Sequence, residues 1–395
     1  MEATDRELEL AHRQEMAGER LARLFARWGY RRIRTPMWEE ASHPAPPGLP
    51  DTSLCRFVDS AGRVLALRAD HTPAVARWVA PRYGGGSSPW RLYYIDPVFR
   101  RDPRDGRFTT RLQAGVELIG AAQPWGDMEV IALLLQALDE LGLEEARVAV
   151  GHTGLLRQLL EARGLGPGQQ ERACALLAAR NLAGLRRFLE ETLPGERAGE
   201  LHALLAGGLS PAEAGEILQR LAGDDAAGFR RVLEALERLA PPGRVRVEFG
   251  LVRDLGYYTG MVFEAYAGCG RVATGGRYDT LLERYGGRGP ATGFAFDLDQ
   301  VAASLGDEPA AQPIDYLVAG HDVEALWVEA ARLRRRGCSA VVAPGLPDEE
   351  AARAAALAQG CRRVLWLDGQ RRSLRMAGQP VAAAAARDGA VTAIH

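Results

Sequence analysis

The chain has 395 residues, 47% hydrophobic and 25% charged, with a formal net charge of −2. That length predicts two or three domains. The balanced charge excludes a global basic field of the kind that gathers nucleic acid, and no apolar run reaches the ~20 residues needed to span a membrane. All 49 basic side chains are arginines, so a lysine Schiff base is excluded and any anion must be met by arginine or backbone amides.

The first ten residues, MEATDRELEL, lack the apolar core of a signal peptide. Apolar positions at Leu10, Leu21, Leu24 and Phe25 predict a surface helix over 6–28, stopped by Gly29. Residues 30–39 read as a helix-to-strand connection that meets Pro36, and the Pro-rich stretch 41–50 as an exposed loop. Residues 65–73 predict a strand followed by a helix start, with Thr72 as N-cap and Pro73 at the first helical position. Asp70 and Thr72 then project at the strand's end, and a carboxylate plus a hydroxyl suits an ammonium, which offers three donors and no acceptor.

Residues 90–120 hold two strand-like runs flanking a charged loop, 101–107, and predict an antiparallel hairpin. A spacing of four puts Gln113 and Glu117 on one face of its returning strand. A helix over 127–141 stopped by Gly142, and a strand over 147–150, follow. The Ala-, Leu-, Glu- and Arg-rich stretch 155–239, broken by Gly and Pro, predicts four to six short helices. Ser210-Pro211-Ala212-Glu213 is a helix start within it. No catalytic constellation stands out there.

Residues 248–279 organise the chain. Strand-like runs 261–266 and 271–274, joined by Gly268-Cys269-Gly270, predict a hairpin. Arg253, Tyr257 and Tyr258 lie in the loop before it. Gly275-Gly276-Arg277-Tyr278-Asp279 predicts a tight turn after it, before a short helix. One cation, two phenols and close-set glycines suit a small zwitterion held against a sheet, although the same residues serve a purely structural hairpin equally well. Beyond a linker at 306–313, strand-like runs 316–319, 340–343 and 364–367 with a helix over 323–335 predict a small α/β unit. The five cysteines are scattered and never at ligand spacing with the seven histidines. Neither a metal nor a cofactor is therefore expected, and a reducing cytoplasm is.

The run RDLGYYTGMVFE resembles the histidine-recognition signature of histidyl-tRNA synthetases and their paralogues, and GGRYDTL resembles the segment that follows it. Residues 30–39 resemble the first shared motif of class II aminoacyl-tRNA synthetases, which forms a dimer interface. Residues 90–120 resemble the second motif. The resemblance implies an α+β fold: a class II synthetase-like antiparallel sheet flanked by helices over residues 1–305, with a helical insertion at about 155–240 and a small α/β domain at 314–395. It also implies a histidine site. Arg100 would match the motif arginine that holds the amino-acid carboxylate and the ATP α-phosphate. Gln113 and Glu117 would match the histidine-contacting pair. Arg253 would meet the carboxylate, and Tyr258, beside Tyr257, the imidazole. Asp70 and Thr72 fall in a segment similar to the family's arginine-proline-glutamate-glycine-threonine block, with Asp70 in place of Glu and His71 in place of Gly.

The same motifs depart from a working synthetase. The loop of the second motif is one residue short and lacks the usual arginine-glutamate-phenylalanine. In the third motif, 293–300, Gln300 stands where the family's arginine clamps the ATP γ-phosphate, and Asp297 adds negative charge nearby. An amide cannot replace a guanidinium against a triphosphate, so activation of histidine with ATP is not expected. The C-terminal unit carries eleven arginines against nine acidic residues, too weak a basic face to favour tRNA. In this pattern the chain is similar to the synthetase paralogues that act as regulatory subunits of ATP phosphoribosyltransferase. The resemblance implies a subunit without chemistry of its own that self-associates through the first motif and joins the short-form catalytic subunit in a hetero-octamer at the first step of histidine biosynthesis. It would activate that subunit and help transmit inhibition by histidine, the effector. A diverged active synthetase and a free-standing histidine sensor remain as alternatives. So does the question of whether histidine sits in the inherited pocket, at an interface or on the partner.

Overall fold

The structure is a computed structural model that describes residues 3–40, 51–84, 86, 88–102, 105–221, 223–252, 257–268, 270–305, 314–369 and 371–376. The Pro-rich stretch 41–50, the loop residue Arg253, the turn residue Cys269 and the linker 306–313 lie outside the described residues. The chain divides into two compact units, Met1–Glu308 and Pro309–His395.

The first unit opens with α1 (Ala3–Arg27). Leu21, Leu24 and Phe25 form its buried stripe, whereas Leu10 is exposed. Gly29, at φ 81°, ends it as a left-handed stop. The 30–39 stretch is not one strand. It splits into β1 (Arg31–Arg32) and β2 (Trp38–Glu40), which enter different sheets. β3 (Arg56–Val58) and β4 (Val64–Leu67) complete a small antiparallel sheet in the order β2-β4-β3. Then come α2 (His71–Tyr83) and the long hairpin of β5 (Trp90–Arg101) and β6 (Phe108–Ile119).

α3 (Trp125–Glu140) leads to β7 (Arg147–His152). Six helices make the insertion: α4 (Thr153–Ala162), α5 (Pro167–Ala178), α6 (Leu182–Thr192), α7 (Arg197–Ala206), α8 (Pro211–Leu218) and α9 (Asp224–Leu239). At α8, Ser210 and Glu213 form a reciprocal capping box with Pro211 at the first turn, as the sequence predicts. After β8 (Val245–Val247) the second hairpin, β9 (Met261–Ala267) and β10 (Gly270–Arg277), precedes β11 (Ala291–Asp297) and α10 (Leu298–Ser304). Gly275, Gly276 and Arg277 are therefore strand residues and not the predicted tight turn. β10 runs between β9 and β11, and its backbone groups are taken up by both ladders.

These strands form one eight-stranded sheet in the order β1-β5-β6-β11-β10-β9-β7-β8, mostly antiparallel. Its two faces follow from alternation. Ala114, Val116 and Leu118 of β6, Phe263 and Ala265 of β9, and Phe294 and Phe296 of β11 join α1, α3 and the insertion in the main core. The opposite face presents Leu92, Tyr94 and Ile119, packed with α2 residues Val75, Ala76 and Val79 and with Tyr257 and Tyr278. That second face carries the candidate site.

In the second unit, β12 (Ile314–Gly320), α11 (Val323–Arg335), β13 (Ala340–Pro344), α12 (Glu349–Ala358), β14 (Cys361–Asp368) and β15 (Arg371–Met376) form a four-stranded sheet. β12, β13 and β14 are parallel, and β15 is antiparallel at the edge. α11 covers one face and α12 the other. α12 and β15 are additions to the sequence reading.

Candidate functional site

Glu117 is the centre of the site. It lies on β6 with its side chain on the α2 face, 1% exposed. Thr72 Oγ1 donates to Glu117 Oε1 at 2.7 Å, and the Tyr278 hydroxyl donates to Oε2. Burial pushes the Glu117 carboxyl up to about 8. Hydrogen bonds from Tyr278, Thr72 and Tyr94 pull it down, and Asp70 pushes it up. Burial, reinforced by the Glu117 charge, likewise holds the Tyr94 and Tyr278 phenols in their protonated form.

Asp70 forms the second pole. The predicted N-cap of α2 was Thr72; the structure gives the cap to Asp70, whose carboxylate accepts from Thr72 N at 3.1 Å. The reason is local. Asp70 holds extended backbone (φ −154°, ψ 141°) as a cap requires, while Thr72 is already helical and its hydroxyl is claimed by Glu117. The other Asp70 oxygen accepts from the Tyr257 hydroxyl at 3.3 Å. Buried Arg68 fastens the approach to Asp70: its guanidinium donates to Thr35 O at 2.9 Å and to Pro97 O at 2.7 Å.

The floor between these groups is main chain. Register aligns Glu117 with Gly293 and Gly293 with Gly276, and Tyr94 with Gly115 one step along. A methyl group at Gly276 would lie 2.8 Å from the Tyr258 ring, and one at Gly115 2.5 Å from the Tyr94 hydroxyl. The tyrosines therefore rest directly on peptide planes. His71 is fully buried, stacks on Tyr94 with ring centroids 4.0 Å apart, and engages Asp96 O through Nε2 at 3.0 Å. Burial lowers it to about 3, so it is a neutral wedge beneath the pocket.

The structure thus brings together Asp70, Thr72, Glu117, Tyr257 and Tyr258. Arg100 is half-buried at the end of β5 with its Nε on Ala69 O at 3.0 Å. Gln113 lies further along the face, paired in register with Asp96 and Asp297. Tyr278 and Tyr94 are site residues that the sequence reading did not single out. Tyr278 follows Arg277 at the end of β10. The buried guanidinium of Arg277 is held by Asp127 and Asp279, each at 2.9 Å, and so pins the end of β10.

Along the same face towards β11 and α10 the character changes. Asp297 Oδ1 accepts from the backbone N–H groups of Asp299 and Gln300, at 3.1 and 3.2 Å. Its Oδ2 takes Arg111 at 2.7 Å. A carboxylate of the chain itself therefore occupies the first turn of α10, with Gln300 beside it. Among the described residues no group of His, Cys, Asp and Glu could hold a metal ion, and no helix is long and apolar enough to cross a membrane.

Residues 2–301 match the family model described as histidyl-tRNA synthetase. The chain is 39% identical over 352 residues to an ATP phosphoribosyltransferase regulatory subunit of Moorella thermoacetica, covering 86% of this chain and 90% of the relative. It is 32% identical over 385 residues to a histidine–tRNA ligase of Pyrobaculum aerophilum, covering 90% and 86%. Its backbone superposes with a TM-score of 0.78 on a crystal structure of an ATP phosphoribosyltransferase regulatory subunit/histidyl-tRNA synthetase from Bacillus halodurans. That match is 27% identical and covers 91% of this chain and 95% of the other.

Proposed function

The chain belongs to the histidyl-tRNA synthetase family, and we propose that it works there as the regulatory subunit of ATP phosphoribosyltransferase and not as a synthetase. The observation that carries this reading is the contrast along one sheet face. At one end, Glu117, Asp70, Thr72 and the four phenols of Tyr94, Tyr257, Tyr258 and Tyr278 line a glycine floor. At the other, Asp297 closes the turn before Gln300. The first arrangement suits a small cation-bearing amino acid, since two carboxyls and hydroxyls can accept from an ammonium and an imidazole. The second repels a polyphosphate, because a carboxylate occupies the turn and the position of the arginine clamp holds an amide.

Asp70, Thr72, Arg100, Gln113, Glu117, Arg253, Tyr257 and Tyr258, with Tyr94 and Tyr278 added, form the proposed histidine pocket. The subunit performs no chemistry of its own. It activates the short-form catalytic subunit in a hetero-octamer and carries histidine inhibition to it, which requires histidine to bind the two states of the complex unequally. Self-association uses the first motif and its β2-β4-β3 sheet, where the exposed Trp38 and Phe57 share one face. The four described cysteines are free thiols, which suits a reducing cytoplasm.

Co-expression with a short-form catalytic subunit tests the reading. Phosphoribosyl transfer should require both chains and fall on adding histidine, while the isolated chain gives no histidine-dependent pyrophosphate exchange. Robust exchange by the isolated chain would instead make it an active ligase, the reading that the Pyrobaculum relative's name favours.

A further inference from the structure

The helical insertion meets β9 at the corner between α5 and α6. Arg180, between α5 and α6, is the single non-glycine residue with a left-handed backbone among the described residues, at φ 51°. That backbone closes α5 as the residue just past its C-cap: Arg180 N donates to Leu177 O and Asn181 N to Leu176 O, both at 2.9 Å. From there the Arg180 side chain meets a polar cluster on β9. The Arg180 guanidinium meets Glu264 Oε2 at 3.1 Å and the Tyr266 hydroxyl, and Tyr266 in turn donates to Glu264. Glu264 is 2% exposed, and Arg271 holds its other oxygen at 2.8 Å.

This cluster is mechanically continuous with the pocket. Tyr258 and Tyr266 pack on the same small apolar group of Ala149, Leu251 and Val262. Val262 aligns with Gly276, the glycine on which Tyr258 rests. The segment before the tyrosines is pressed against the insertion: a methyl group at Gly250 would lie 2.1 Å from Leu205 O and 3.0 Å from Leu177 Cδ2. Leu177 is three residues before Arg180, on the same corner.

We propose that Arg180 is a positioning residue for the pocket. By clamping the α5–α6 corner onto Glu264 and Tyr266, it holds residues 248–252 and the Tyr257-Tyr258 pair in place. Occupancy of the pocket and docking of the insertion then favour each other. This rests on the histidine-pocket reading above, and it makes the insertion the element through which the ligand is felt outside the pocket.

The full chain with Arg180→Gly tests it, because glycine keeps the left-handed backbone and removes the guanidinium. Calorimetry should show L-histidine binding weakened about fivefold or more, with the thermal midpoint little changed, since an Arg180 side chain 68% exposed carries little stability. Arg180→Lys should recover part of the affinity. Hydrogen exchange without ligand should be faster in Arg180→Gly at residues 248–252 and 257–268, and in the wild type L-histidine should slow exchange at 176–186. Wild-type affinity in Arg180→Gly overturns the proposal. So does unchanged ligand-free exchange at 248–252 and 257–268, a result that stands whether or not histidine binds. Absence of binding by the wild type, with the exchange difference present, sinks the pocket reading and leaves the clamp.

Discussion

Glu117→Gln separates the cost of the pocket from its use. In the unfolded chain the Glu117 carboxyl titrates near 4.5, and in the folded chain near about 8. The folded state therefore holds a proton that the unfolded state has released. Stability is greatest below pH 4.5, falls as pH rises towards 8 and levels off above it. At about 1.4 kcal/mol per pH unit of separation, ionising this buried carboxyl costs on the order of 5 kcal/mol above pH 8. Glutamine cannot ionise and loses that slope. Its amide N–H groups would face the Thr72 and Tyr278 hydroxyls, which costs about 1 kcal/mol. At pH 8.5 the variant should exceed the wild type by roughly 2–4 kcal/mol, and at pH 5 it should be equal or about 1 kcal/mol weaker. Urea unfolding at the two pH values measures this. The difference between the two proteins is the readout, because Asp127, raised to about 6 chiefly by burial, contributes to both. A gap that does not change between pH 5 and pH 8.5 would refute the reasoning. The more stable variant should also bind histidine worse, the usual relation between a strained site and its function.

Three further outcomes follow from the geometry. Arg277→Met leaves Asp127 buried without its cation and should cost about 3–5 kcal/mol in urea unfolding at pH 7; adding Asp127→Asn should restore most of it, and a double variant as weak as the single one counts against the pairing. Gly276→Ala drives a methyl group to 2.6 Å from Met261 O and 2.8 Å from the Tyr258 ring, so histidine binding should be lost in calorimetry, and a variant that binds normally would mean the ring does not rest on that glycine. Trp38→Asp puts a charge on the exposed β2-β4-β3 sheet, where Trp38 is 57% exposed; light scattering should show a shift to monomer, and an unchanged mass would remove that sheet from the interface.

The sequence made the site's axis legible because it depends on strand parity: a spacing of four on β6 was enough to put Gln113 and Glu117 on one face. The α8 start was legible for the same kind of reason, as its cap is settled within four residues. Tyr278 and Tyr94 were harder to see because their roles depend on partners far along the chain, Glu117 and His71, which only the sheet order brings together. At the start of α2 two good capping residues compete, and the structure gives the cap to Asp70. Local propensity cannot separate Asp70 from Thr72 when a third residue, Glu117, decides where the threonine hydroxyl goes. The β10 glycines read as a turn because glycine in isolation suggests one, whereas here it gives aromatic rings a bare surface to lie on.

That floor has a consequence for any molecule that settles above it. The planes at Gly276 and Gly293 are covered by the Tyr258 ring and the Glu117 carboxyl, and groups seated this closely have little rotamer freedom left to lose on contact. The walls are already tied to one another through Thr72, Tyr278 and Tyr257. Walls joined in this way lose little side-chain freedom when a small molecule enters, so more of each new contact is left for affinity.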